Sequence, residues 1–163
     1  MAVTQVSLTP LTAELAADIY NGRRHATWAD DFPTDADVML AGLVCRRIAA
    51  GIDYENATAE QPWISLFLVI ADDLLVGGCG FKAGPDSEQR IEIGYGIAES
   101  HQNRGIATAA VQLLINLATP LGLTVVAETE ADNLASQRVL MNSGFTRWQR
   151  DDEEHIWWLR SAQ

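Results

Sequence analysis

Basic charge is what this chain has least of. Lys82 is its one lysine, and Lys plus Arg number 11 against 22 Asp plus Glu, a formal net charge of −11. Such a chain repels a phosphate backbone and an anionic bilayer, which argues against nucleic acid and membrane surfaces as partners. At long range it favours a cationic or amine substrate, though the same charge also serves plain solubility. Cysteine is nearly as scarce: Cys45 and Cys79 stand far apart, which leaves no disulfide framework and no zinc knuckle. His25, His101 and His155 are isolated from one another, and none has a metal partner at ligand spacing, so no metal site is expected. Long apolar runs are missing too. The best, from Trp63 to Ala71, is interrupted by Ser65 and is far short of a membrane span. Residues 1–10 carry neither a basic nor an apolar leader segment, so the expected compartment is the cytoplasm. No G-x-x-x-x-G-K-[ST], no G-x-G-x-x-G after a strand and no G-x-S-x-G elbow is present, against a Walker nucleotide site, a Rossmann site and a serine hydrolase.

What is present is globular. Hydrophobic residues make up 48% and charged residues 20% of the 163, which suits one domain over 1–163. Periodicity and breakers place the elements. Val3 to Leu8 reads as a strand. A helix carrying Leu11, Leu15, Ile19 and Tyr20, capped by Thr12, stops at Asn21-Gly22. A second helix, capped by Thr34 or Asp35, offers Val38, Leu40, Leu43, Val44 and Ile48 as its apolar face and ends at Gly51. Strands follow over Trp63 to Ile70, Leu74 to Lys82 and Ile91 to Ala98, with tight turns at Asp72-Asp73 and Gly84-Pro85-Asp86. Then come a helix from Gly105 to Leu117, a strand from Thr124 to Ala127, and a helix through Met141 capped by Asp132 or Asn133. Strands over Phe145 to Trp148 and Ile156 to Leu159 close the chain, joined by an acidic turn, Asp151 to Glu154. The expected class is an α/β (α+β) fold, with a mixed, mainly antiparallel sheet of six to seven strands and about four helices on both faces.

The segment with chemistry in it runs from Gly94 to Thr108. In the strand, Ile91, Ile93, Tyr95 and Ile97 point one way, while Glu92, Gly94, Gly96 and Ala98 point the other. That second face is nearly free of side chains. The strand runs into a polar loop that opens a helix, and a helix start offers unpaired N–H groups and a positive dipole end to an anion. Gly105 and Ala107 keep the approach open, Arg104 adds one charge and Thr108 a hydroxyl. Read without relatives, the segment is equally a tight strand–loop–helix joint.

Gln102-Asn103-Arg104-Gly105-Ile106-Ala107 resembles the Q/R-x-x-G-x-G/A signature of the GCN5-related N-acetyltransferases (GNAT). Asn133-Leu134-Ala135-Ser136, then Val139-Leu140, then Ser143-Gly144-Phe145 resemble a second region of that family. Gly77-Gly78-Cys79-Gly80-Phe81-Lys82 and Glu92-Ile93-Gly94-Tyr95 are similar to its branch of ribosomal-protein N-terminal acetyltransferases. The resemblance implies the acyl-CoA N-acyltransferase fold and acetyl-CoA as co-substrate without a metal. It further implies transfer to a primary amine, of a small molecule or a protein N-terminus, by direct attack in a ternary complex. Relatives are often homodimers.

The resemblance also assigns residues. Ile97 and Ala98 would pair with the pantetheine arm on the splayed fourth strand. Gln102, Asn103, Arg104, Gly105, Ile106, Ala107 and Thr108 would take the pyrophosphate, and Asn133 would touch the arm. Glu92 is the candidate base, or alternatively a partner for a charged neighbour or the substrate cation. Many relatives protonate the leaving thiolate from a tyrosine at the position that is Leu140 here. Ser136 is the candidate substitute, or a serine that merely starts its helix. Leu140 also keeps open a non-catalytic acetyl-CoA-sensing module. Asp30, Asp31, Asp35 and Asp37 form an acidic cluster that reads as a solvated loop. Trp28, Phe32 and the aspartates near them lie between the first two helices, where relatives line the acceptor pocket, and read either as an aromatic wall with a carboxylate for an amine or as a hydrophobic plug. Trp157 and Trp158 must point to opposite faces, toward a core or a dimer interface. Cys45 and Cys79 join no catalytic constellation, against a covalent enzyme intermediate.

Overall fold

The computed structural model describes residues 3–150 and 153–160, so Asp151 and Asp152 of the acidic turn lie outside the described residues. The elements in chain order are β1 Val6–Pro10, α1 Ala13–Asn21, α2 Asp35–Ala49, β2 Phe67–Ala71, β3 Leu74–Phe81 and β4 Arg90–Ile97. After them come α3 Ile106–Ala118, β5 Thr124–Glu130, α4 Leu134–Asn142, β6 Thr146–Arg150 and β7 His155–Arg160. One sheet runs β1-β2-β3-β4-β5-β7-β6, and β4–β5 is its single parallel pairing. The mixed, mainly antiparallel sheet with four helices is the architecture expected.

Local chemistry explains most boundaries. Thr12 caps α1 by accepting from Leu15 N–H, and Gly22 ends it at φ 73. Thr34 caps α2 in a capping box with Asp37. Asp72 and Asp73 take φ 46 and 69, as a two-residue hairpin needs. Asn133, rather than Asp132, caps α4 through its side chain on Ser136 N–H.

Other boundaries moved for tertiary reasons. β1 extends through Pro10, which an edge strand tolerates because no N–H is required there. Pro10 pairs with Phe67, so β2 begins at Phe67 and not at Trp63. Leu11 is buried but precedes α1. Leu43 and Ile48, expected on the inner face of α2, are 46% and 39% exposed. The inner face is instead Ala41 and Gly42, and Tyr20 of α1 lies so close that a Cβ on Gly42 would stand 2.8 Å from its ring. β5 runs on through Glu130 because β7 pairs with Glu128, Thr129 and Glu130 despite their polarity.

The two faces of the sheet are unlike. α3 packs on the side of Ile91 and Ile93, burying Ala110, Val111, Leu114 and Ile115. Each fully buried Val, Leu or Ile side chain there contributes roughly 1.5–3 kcal/mol. Trp158 faces the same core and donates its indole N–H to Thr129 Oγ1 at 2.9 Å. α2 lies over the other face, where Asp37 reaches Gly78.

Candidate active site

β4 and β5 hold together only through Arg90–Thr124, Ile91–Val125 and Glu92–Val126. Beyond that point β4 stays with β3 and β5 stays with β7. Along β4 the residues alternate which neighbour their backbone addresses. Lys82 N–H reaches Glu92 O and Ala98 N–H reaches Val76 O, so the even positions serve β3. Tyr95 and Ile97 therefore turn N–H and C=O toward the gap. This corrects the place expected for Ala98: it is fully buried and its N–H is already used. Ile97 C=O accepts from Gln102 Nε2 at 2.9 Å, which ties the loop back to its strand.

The gap opens into a hollow of about 640 Å³, a size that suits a ligand. Its walls bring together Tyr95, Gly96 and Ile97 with Gln102, Asn103, Gly105, Ile106, Ala107 and Thr108, and across from them Asn133 and Ser136. Gly105 is the N-cap of α3 at φ 76 with no side-chain cap, and Asn103 is also left-handed at φ 59. Left-handed residues at alternate positions turn successive N–H groups to one side, which makes an anion nest. Ala109 N–H is bonded to Gly105 O. The N–H groups of Ile106, Ala107 and Thr108 precede it in the first turn of the helix, without partners in that ladder. Arg104 is exposed and does not line the hollow.

A second tie steadies this loop. Ser100 donates its N–H (2.8 Å) and hydroxyl (2.5 Å) to Asp31, and His101 Nδ1 lies 2.7 Å from the same hydroxyl. The Ser100 hydrogen bonds hold the Asp31 carboxyl below its ordinary value of 3.8. A depressed folded-state pKa contributes stability that is present above the unfolded value and lost as pH falls through the folded one. An Asp31→Asn variant is therefore expected to melt below wild type at pH 6. The gap should close as the pH drops below that ordinary value, in paired thermal melts.

Tyr95 is the residue that sequence reasoning passed over. Its hydroxyl donates to Ser136 O at 3.2 Å, inside the hollow, and burial pushes its pKa up. The alternation of β4 already put Tyr95 on the Ile93 and Ile97 side, but only packing shows α4 there. Leu140 is fully buried in the core. Ser136 accepts and donates through its backbone, to Tyr95 and Asn133. Thr34, at the start of α2, also reaches the hollow.

Glu92 does not line this hollow. It faces the side of Gly94 and Gly96, as expected, but is ion-paired with Lys82. Together they line a separate hollow of about 380 Å³ with Val126, Trp148 and Trp157. Trp28 and Phe32 are 5% and 0% exposed and stack edge to face, so they plug the core and wall no acceptor pocket. Arg24 closes that plug by donating to Phe32 O and Ala29 O. His25 pairs with Asp18, and His155 lies 3.7 Å from Glu128. Among the described residues no cluster of three His, Cys, Asp or Glu fits a metal. Burial pushes the Cys79 thiol up to about 12, so it is no nucleophile at neutral pH. No helix among the described residues is long and apolar enough to cross a membrane.

Known proteins are similar to this chain in sequence and in fold. The uncharacterised N-acetyltransferase YjdG of Bacillus subtilis is 38% identical over 85 residues, 51% of this chain and 51% of that one. The ribosomal-protein-serine acetyltransferase of Escherichia coli is 31% identical over 88 residues, 53% of this chain and 49% of that one. The chain thus spans about half the length of the curated relatives it matches. In fold it is similar to Mycobacterium smegmatis RimJ, solved with a CoA disulfide, at TM-score 0.67 and 23% identity, covering 96% of this chain and 82% of that one. A family model described as an acetyltransferase (GNAT) domain matches residues 5–146, the stretch that holds β1 through α4 and the whole anion loop, so the chain belongs to the GNAT acetyltransferases.

Proposed function

We propose that the protein transfers acetyl from acetyl-CoA to a primary amine, by direct attack while both substrates are bound. The parting of β4 and β5 directly above an anion nest carries this reading. A long, flexible thioester with a pyrophosphate at one end fits that pair of features. The backbone from Gln102 to Thr108 takes the pyrophosphate, where the local field of a helix start opposes the acidic charge of the whole chain. Arg104, at the exposed rim, attracts the phosphates without lining the hollow. Tyr95 and Ile97 pair their free backbone groups with the pantetheine arm, and Asn133 lies beside it.

Acyl transfer needs a donor for the developing oxyanion, a proton for the departing thiolate and a sink for the amine proton. A free N–H of the β4 edge suits the first. For the second, four hydroxyl residues line the hollow, Thr34, Tyr95, Thr108 and Ser136, and we take Ser136 and Tyr95, which meet where α4 approaches β4, as the candidates. Tyr95 is our candidate for the tyrosine missing at Leu140, because it lines the hollow and its phenol, part-buried and protonated at neutral pH, already donates to α4 at Ser136 O. Its presence removes the main ground for reading the domain as a non-catalytic sensor. Glu92 is already paired with Lys82 and lines the separate hollow, which favours the reading of it as a partner for a charged neighbour over that of a base. The E. coli relative's name points to a ribosomal protein as one kind of acceptor, and small amines are the other class.

Calorimetric titration with acetyl-CoA, followed by a transfer assay over alkyl amines, polyamines and peptides with free N-termini, tests the reading. Micromolar binding and transfer to at least one amine is the expected result. No binding at millimolar acetyl-CoA would sink it, and binding without any transfer would return the sensing module.

A further inference from the structure

The sheet face away from α3 carries a floor of four glycines. Gly78 pairs with Gly96 and Gly80 with Gly94 across β3 and β4. They are unequally covered. Leu66 stands 2.8 Å from where a Gly80 Cβ would be, and the Lys82 stem 3.4 Å from that of Gly94. Over Gly96 nothing lies within 4 Å, while over Gly78 the first atom is Asp37 Oδ1 at 2.9 Å. A carboxylate oxygen thus overlooks an opening in the floor. The opening adjoins the acetyl-CoA hollow, because Thr34, Gly96 and Ile97 line that hollow together.

The two oxygens of Asp37 differ. Oδ2 accepts from Thr34 N–H at 2.9 Å and Thr34 Oγ at 2.8 Å. Oδ1 has no hydrogen bond among the described residues. No fully buried side-chain oxygen or nitrogen there lacks a partner, so Oδ1 borders accessible space. Burial raises the Asp37 carboxyl above the ordinary aspartate value, against the Thr34 hydrogen bonds, which lower it. Among the described residues no Lys, Arg or His pairs with Asp37, whereas Glu92 has Lys82.

We propose that Asp37 receives the acceptor's amino group: Oδ1 binds the ammonium over Gly96 and takes its proton. The proposal rests on the acetyl-transfer reading and deepens it by naming the carboxylate and the class of acceptor, a primary ammonium. The ammonium gives one proton to Asp37 and becomes a neutral amine. Its lone pair forms the C–N bond to the thioester carbon as the C–S bond breaks. The leaving thiolate takes a proton from Tyr95, which is restored by the second proton lost from nitrogen. Asp37 returns its proton to water once the amide leaves.

Asp37→Asn keeps the size and the acceptor for the Thr34 cap but cannot take a proton. With an amine that wild type acetylates, kcat is expected to fall at least about 100-fold, within the range for a lost general base. The acetyl-CoA Kd should stay within twofold and Asp37→Glu should recover part of the rate. Gly78→Ala provides a second route, since its methyl on β3 presses on Asp37 Oδ1 while every residue of α2 is left unchanged, and a fall in kcat of about 10-fold is expected. Asp37→Asn within threefold of wild type, or Glu92→Gln costing more than Asp37→Asn, overturns the proposal while leaving acetyl transfer intact. If Asp37→Asn does not fold, unchanged kcat in Gly78→Ala overturns it. Wild type that acetylates none of the amines overturns the transfer reading and this proposal together.

Discussion

Replacing Gly105 by valine is expected to weaken acetyl-CoA binding about 100-fold, while the chain still folds. Gly105 sits at φ 76, and nothing lies within 4 Å of where its Cβ would be. The unliganded protein can therefore hold a side chain there, at a strain of about 1–2 kcal/mol for a left-handed non-glycine residue. Such a cost lowers Tm by only several degrees in a domain of this length. The larger loss falls on the ligand. A branched side chain stands in the approach to the first amides of α3 and twists them from their common direction. Hydrogen bonds from N–H groups to a charged oxygen contribute about 1.5–3 kcal/mol each. Losing one or two gives a change of that order, since about 1.4 kcal/mol is tenfold. Calorimetry with acetyl-CoA and a thermal melt on the same sample separate the two effects. A Kd within threefold of wild type would mean that the nest does not hold the pyrophosphate.

Tyr95→Phe is expected to lower kcat by about 10–100-fold, the lower part of the range for a proton donor, with acetyl-CoA affinity nearly unchanged. The phenyl ring keeps the packing between β4 and α4, and only the hydroxyl that donates to Ser136 O is removed. The stability loss should be about 1 kcal/mol, as for one ordinary hydrogen bond. Ser136→Ala is the control. A tenfold loss there with no loss in Tyr95→Phe would give the proton to Ser136. Because a thiolate that leaves readily needs its proton least, an acyl donor with a more acidic thiol should narrow the Tyr95→Phe deficit. A purely structural role would leave the deficit unchanged.

Much of this site was legible because its signals are local. The loop from Gln102 to Thr108 is a continuous run, and its left-handed turn needs Gly105 wherever the rest of the chain lies. The caps at Thr12, Thr34 and Asn133 each act within three residues. The alternation of β4 put Glu92, Gly94 and Gly96 on one face correctly.

The same locality marks where sequence reasoning stopped. Trp28 and Phe32 have the composition of a binding wall, and burial alone made them a plug. For Glu92 the sequence leaves open a base, a partner for a charged neighbour or a partner for the substrate cation, and only the β3–β4 register sets Lys82 beside it. Tyr95 meets Ser136 across 41 positions, and Asp31 meets Ser100 across 69.

By itself, then, the sequence determined the family, the order of elements and the anion loop, because periodicity, caps and a glycine-dependent turn are written in neighbouring residues. The tertiary structure alone decided which carboxylate stands free, which hydroxyl enters the hollow and which backbone groups of β4 lack a partner. Those depend on how far β5 departs from β4 and on where α2 and α4 dock. Such distances are set by the packing of side chains far apart in the chain, and no local pattern encodes them.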